Sequence, residues 1–75
     1  MTIEQLQTVM ANCESFNKDV VIQSPKGQEL IVLERFQDPY TKEFEYIVIQ
    51  QSTIATLSEL EMSSLIHNYR VLELI

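Results

Sequence analysis

One cysteine, Cys13, and one histidine, His67, are all that this 75-residue chain holds of the side chains that most often staple or metallate a small fold. An intrachain disulfide is therefore excluded, and so is a four-ligand zinc site built from cysteine and histidine alone. Gly27 is the only glycine, which rules out a glycine-rich phosphate loop and the nucleotide binding such a loop supports. Basic residues are scarce as well: five, against eleven acids, for a formal net charge of -6. Phosphate backbones are repelled by such a surface, and no direct contact with nucleic acid is expected. Long hydrophobic runs are missing too. The longest are Leu30 to Leu33 and Tyr46 to Ile49, far short of the ~20 residues of a membrane helix, so no membrane span is expected. The opening residues show no basic stretch followed by an apolar run, and a lone thiol suits a reducing compartment. The expected localisation is cytoplasmic.

What is present fits one domain, residues 1–75, near the lower size limit for a fold held by its own core. A chain of this length buries only about 60 to 65% of the surface its unfolded form exposes. With disulfides and zinc excluded, packing and association must supply the rest.

Thr2 and Gln5 form a capping-box pair, and apolar residues then recur at Ile3, Leu6, Met10 and Cys13, widened by Val9. This predicts an amphipathic helix ending near Glu14 to Asn17. From Lys18 the character turns to strand: Val20, Val21 and Ile22 stop at Ser24-Pro25-Lys26-Gly27, a turn signature. A second strand, residues 28–37, ends at Asp38-Pro39-Tyr40, and a third covers 43–51. A second helix is predicted to start from a capping box at Thr56 and Glu59, or at Ser58 and Glu61. Beyond it, Asn68 suits a left-handed cap followed by a short fourth strand from Arg70 to Leu74. Alternatively the helix runs on to the C-terminus. The expected class is a small two-layer α+β domain: helix, three-stranded antiparallel meander, helix.

Pairing the second and third strands about Tyr40 sets Phe36 opposite Phe44, Arg35 opposite Glu45, Leu33 opposite Ile47, Val32 opposite Val48 and Ile31 opposite Ile49. A slip of one residue would put Arg35 against Phe44 or Tyr46 instead. In this register one face is aliphatic, with Val20, Ile22, Ile31, Leu33, Ile47 and Ile49, and suits helices. The other carries Val21, Leu30, Val32, Phe36, Phe44, Tyr46 and Val48, with Glu34 and Gln50 among them. An antiparallel sheet in a two-layer domain normally keeps one face polar, and this one has two apolar faces. Either the helices divide between the faces or a second chain covers the aromatic side.

Catalytic chemistry is not expected. Ser63, Ser64 and His67 share a helix face by spacing alone, with no orienting acid or oxyanion site at hand. Glu43 with Glu45, and Glu59 with Glu61, read as solvated charge, and no calcium-loop pattern exists. No cofactor or metal is expected. Cys13, in a helix stripe, reads as a buried thiol. In size, negative charge and element order the chain resembles small phage-encoded inhibitors of bacterial defence or host enzymes, some of which mimic DNA. That resemblance implies an inhibitor or adaptor that occludes a larger protein with a basic surface. On the residues, Phe36, Phe44 and Tyr46 would anchor, with Tyr40 at the rim and Glu34, Asp38, Glu43 and Glu45 steering. The alternative is a structural homodimer packed through the same aromatic face.

Overall fold

In the computed structural model of the protein, which describes residues 1–14 and 19–74, the chain opens as its first residues imply. Gln5 N–H donates to Thr2 Oγ1 at 3.1 Å and Thr2 N–H donates to Gln5 Oε1 at 2.8 Å. This box starts α1 (Ile3–Glu14), whose Leu6 and Cys13 are buried and whose Ile3, Val9 and Met10 pack beside them. The expected end of the helix over 15–17 and the onset of strand at Lys18 lie outside the described residues.

Three strands follow: β1 (Val20–Gln23), β2 (Glu29–Gln37) and β3 (Phe44–Gln50). The β1–β2 turn closes with Gly27 N–H donating to the Ser24 carbonyl at 3.0 Å, and Gly27 at φ 87° takes the conformation only glycine adopts without strain. At the β2–β3 turn Asp38 Oδ1 accepts from the backbone N–H of Tyr40 at 2.7 Å and of Thr41 at 3.1 Å, the local bonding that makes aspartate a turn former.

The sheet then continues through residues 53–55, for which no element is expected, and past Thr56, the earlier of the two candidate helix starts. Residues Thr53–Ser58 form β4, joined to β3 by Gln51 and Ser52 at φ 50° and 64°. Two successive residues in the left-handed region make the tight turn whose twist matches that of its strands. Ser58 ends β4 and caps α2 (Glu59–Leu65). Glu61 N–H donates to Ser58 Oγ at 3.1 Å and Ser58 N–H donates to Glu61 Oε1 at 3.2 Å, so the second of the two candidate boxes is the one used. Asn68 is not left-handed. The helix closes through the Ile66 N–H on the Met62 carbonyl, and the Met1 ammonium donates to the carbonyls of Ile66, His67 and Tyr69, each at 2.9 Å. A cation is thus placed where the helix dipole and the carbonyls that end it favour one. The chain leaves as β5 (Arg70–Leu74), the strand ending of the two alternatives.

All pairs are antiparallel, in the order β4-β3-β2-β1-β5. Both helices lie on one side. Leu6 and Cys13 of α1, with Met62 and Ile66 of the α2 segment, meet Val20, Ile22, Leu30, Val32, Tyr46 and Val48 in a single buried cluster. Full burial of an aliphatic side chain contributes roughly 1.5 to 3 kcal/mol, and Leu6, Ile22, Leu30, Met62 and Ile66 are each 0% exposed. The fold is a small two-layer α+β domain with five strands rather than a three-stranded meander.

The β2–β3 register holds at Ile31 with Ile49 and Val32 with Val48, then shifts. A bulge sets Leu33 and Glu34 together against Ile47, so that Arg35 faces Tyr46, Phe36 faces Glu45 and Gln37 faces Phe44. One extra residue in a strand reverses the facing of everything beyond it. At β1 the faces differ from those expected for a separate reason, the β1–β2 register, which sets Val20 against Val32 and Ile22 against Leu30. Val20 and Ile22 join Leu30, Val32, Tyr46 and Val48 beneath the helices, while Val21 pairs with Ile31 on the other side.

Candidate functional site

Beyond the bulge, Arg35 points to the helix side and gathers partners from every layer. Its Nε donates to the Tyr46 hydroxyl at 3.1 Å, its Nη2 lies 3.4 Å from Glu59 Oε1, and its guanidinium sits 3.7 Å above the Phe44 ring. The Tyr46 hydroxyl in turn donates to Glu59 Oε1 at 3.2 Å, and Gln7 Nε2 donates to the same carboxylate oxygen at 2.9 Å. Burial pushes the Tyr46 hydroxyl above its ordinary pKa of 10.0, against the lowering effect of its bonds with Gln7 and Arg35. The cluster ties α1, β2, β3 and α2 together. Three of its donors, from Gln7, Arg35 and Tyr46, converge on Glu59 Oε1, and these bonds hold the layers in register. No buried polar side-chain atom among the described residues lacks a partner.

The opposite face of the sheet is different. Val21, Ile31, Ile49 and Ile54 form a row across four strands, each paired with the next, and Leu33, Phe36 and Ile47 lie beside it. No described helix covers these residues. At one end of the row Val21 is 1% exposed and at the other Ile54 is 67% exposed, while Ile31, Leu33, Phe36, Ile47 and Ile49 are half-buried. Around the row stand Glu29, Glu34 and Glu45. The one base at a strand position on this side is Arg70, at the corner, where its Nη2 donates to Gln23 Oε1 at 3.1 Å. The face is an aliphatic surface with an acidic rim.

The residues expected to form a partner surface are distributed rather than gathered. Phe36 belongs to the uncovered face, between Glu34 and its cross-strand partner Glu45. Phe44 and Tyr46 lie on the covered face, Tyr46 at 0% exposure inside the polar cluster and Phe44 half-buried under Arg35. Tyr40, 93% exposed, stands at the tip of the β2–β3 turn, where Asp38 is occupied with backbone N–H groups and Glu43 is exposed. The expectation that the three aromatics share one open face is corrected by the bulge at Leu33: it moves Arg35 under the helices and leaves Phe36 on the other side. Of the aliphatic layer assigned to the helices on hydrophobicity, Val20 and Ile22 do lie beneath them, while Ile31, Leu33, Ile47 and Ile49 lie on the side that no described helix covers. A signal for this was present in β3, where the acid Glu45 alternates in phase with Ile47 and Ile49 while Phe44, Tyr46 and Val48 share their phase with no charge.

Ser63, Ser64 and His67 are exposed, and no group of three or more metal-ligating side chains gathers among the described residues. No described helix is long and apolar enough to cross a membrane. Comparison with known proteins finds no matching family model, no matching curated protein and no matching solved structure.

Proposed function

We infer that this protein is a binding module that docks a larger protein on the uncovered face of its sheet and acts by occluding the surface it meets. The observation that carries this reading is the row Ile31–Ile49–Ile54 with Leu33, Phe36 and Ile47 beside it, over which no described helix lies. Contiguous apolar surface with a polar rim is characteristic of contact sites. The rim of Glu29, Glu34 and Glu45, on a chain of net charge -6, selects a partner with an apolar centre and basic surroundings, and the acids speed its approach. An inhibitor of a host or defence enzyme, or an adaptor, is a module of this kind. Phe36 is the aromatic anchor on this face, and Tyr46 supports it from behind by fixing β3.

The reading is tested by capture from the native host with three baits: the wild-type chain, Ile49→Asp on the uncovered face, and Leu60→Asp on α2, where the leucine is 78% exposed. A protein retained by the wild type and by Leu60→Asp but lost with Ile49→Asp is the expected result. Retention by all three baits would place the contact elsewhere. An affinity that does not weaken with salt would remove the acids from the account.

A further inference from the structure

The two edges of the sheet are treated differently. At one edge, β5 opens with Arg70 and pairs with β1 through an irregular register that shifts between Val21 and Ile22. Charge and a bulge are the usual means of stopping an edge from pairing with another chain. At the other edge, β4 reads Thr-Ile-Ala-Thr-Leu-Ser, with no charge, no proline and a regular register throughout.

The hydrogen-bonding pattern of β4 follows from its turn. In a two-residue hairpin the closing pair, here Gln50 and Thr53, is hydrogen-bonded, and bonded pairs recur at every second residue. Thr53, Ala55 and Leu57 therefore bond inward to β3. The N–H and C=O groups of Ile54 and Thr56 point outward from the sheet. Ser58, next in that phase, confirms the direction, because its N–H donates to the Glu61 carboxylate instead of to β3.

We propose that β4 pairs antiparallel with β4 of a second copy of this chain, centred on Ala55. A twofold axis normal to the sheet must set a residue of this strand opposite itself. Centring on Ala55 places Ile54 opposite Thr56 of the other copy, so every outward N–H and C=O of these two residues finds a partner. Centring on Thr56 instead would require the N–H of Ser58, which the α2 cap already uses. The occupant is a second copy because β4 is complementary to itself: in this register the outward groups of Ile54 and Thr56 satisfy those of the same two residues in the other copy, and a strand without charge meets its own copy with no like charges opposed. The pairing doubles the sheet and joins the two uncovered apolar faces side by side through Ile54, which is 67% exposed in the single chain. It leaves those faces free, and so it stands whether or not the docking function proposed above is correct.

Cysteine cross-linking reads the register directly, with Cys13 buried in every variant. Directly opposed residues of a non-bonded antiparallel pair have Cα atoms about 4.5 Å apart, within the range a disulfide spans. Under mild oxidation Ala55→Cys is expected to give a covalent dimer of twice 8.7 kDa. Ile54→Cys and Thr56→Cys are expected to stay monomeric alone and to cross-link when mixed. Thr56→Pro removes an outward donor without removing a bond to β3 and should abolish the dimer seen by light scattering while the circular dichroism is kept. Should that variant fail to fold, Ile54→Lys gives the same reading by placing a charge at the edge. Cross-linking of Thr56→Cys alone would overturn the register. A wild-type chain that stays monomeric at every concentration, with Ala55→Cys not cross-linked, would overturn the proposal, and the edge would then be open to a strand of another protein.

Discussion

Arg35 faces Tyr46 across the β2–β3 ladder, its Nε 3.1 Å from the tyrosine hydroxyl, and this pairing exists because Leu33 is one residue too many for the strand opposite. Removing the extra residue would carry Arg35 back to the acidic face beside Glu45. The bulge therefore decides which side of the sheet holds a cation. Arg35→Ala is expected to lower unfolding stability by about 2 kcal/mol through loss of the charged hydrogen bond and the stacking on Phe44. A double-mutant cycle with Glu59→Gln should return a coupling of only about 0.5 to 1 kcal/mol, because both charged groups are partly exposed. Urea denaturation of the four proteins checks both values.

Tyr46 makes stability depend on alkaline pH. Its folded-state pKa lies above the ordinary 10.0, so the folded chain holds the hydroxyl proton more tightly than the unfolded chain does. That contribution is fully present below pH 10 and is lost as pH rises through the folded value. Tyr46→Phe should flatten this part of the profile and cost about 1 kcal/mol at neutral pH, where two neighbouring donors and an acceptor lose their partner. Denaturant midpoints of both proteins on either side of pH 10 test it. An alkaline decline of equal size in both would assign the effect to other groups.

The two faces should respond differently to truncation. Leu30→Ala, beneath the helices, is expected to cost 2 to 5 kcal/mol, a range of roughly the size seen for buried leucines. Ile47→Ala, on the uncovered face, should cost less than about 1.5 kcal/mol, and Ile47→Asp should still fold. Equal losses at Leu30 and Ile47 would mean that both faces are covered.

The hairpin that creates β4 carries backbone strain. Gln51 and Ser52 occupy a region favoured by asparagine and glycine. The double change Gln51→Asn with Ser52→Gly should stabilise the fold by about 1 kcal/mol, read as a rise in thermal midpoint with an unchanged circular dichroism spectrum.

The Met1 ammonium closes the far end of α2. Acetylating it leaves the carbonyls of Ile66, His67 and Tyr69 with a neutral donor, and a loss of about 1 kcal/mol is expected. Thermal melts of acetylated and free chains made by synthesis compare the two. The difference should shrink in high salt.

Where a local rule governs, the sequence was legible. Thr2 and Gln5, Ser58 and Glu61, and the Asp38 turn each behave as their side chains dictate, because capping and turn bonds involve residues within a few positions. Two features escaped. The β3–β4 turn uses glutamine and serine at positive φ, so nothing marked Thr53 as the start of a strand, and of the two candidate capping boxes the one at Thr56 and Glu59 suggested a helix too early. The bulge at Leu33 turns Arg35 toward Tyr46, Phe44 and Glu59, which lie on other elements, and no window around Leu33 contains them. That one-residue shift carried Arg35 beneath the helices and Phe36 to the other face, and so separated Phe36 from Phe44 and Tyr46. Charge phase along β3 was the better guide, since Glu45 cannot share a dry face with Ile47 and Ile49.

Ser58 belongs to two elements at once, the last residue of β4 and the cap of α2. With no loop between them, β4 has no slack. For its free edge to swing away from β3, the helix carrying Met62 would have to lift from the core, and Met62 is 0% exposed. Local opening at this edge thus requires near-global unfolding, and the inward amide protons of Ala55 and Leu57 should exchange at rates set by the whole domain, while the outward ones of Ile54 and Thr56 exchange freely in the single chain. An edge so anchored is already straight and ordered before anything approaches it, and little conformational entropy remains to be lost when a second strand arrives.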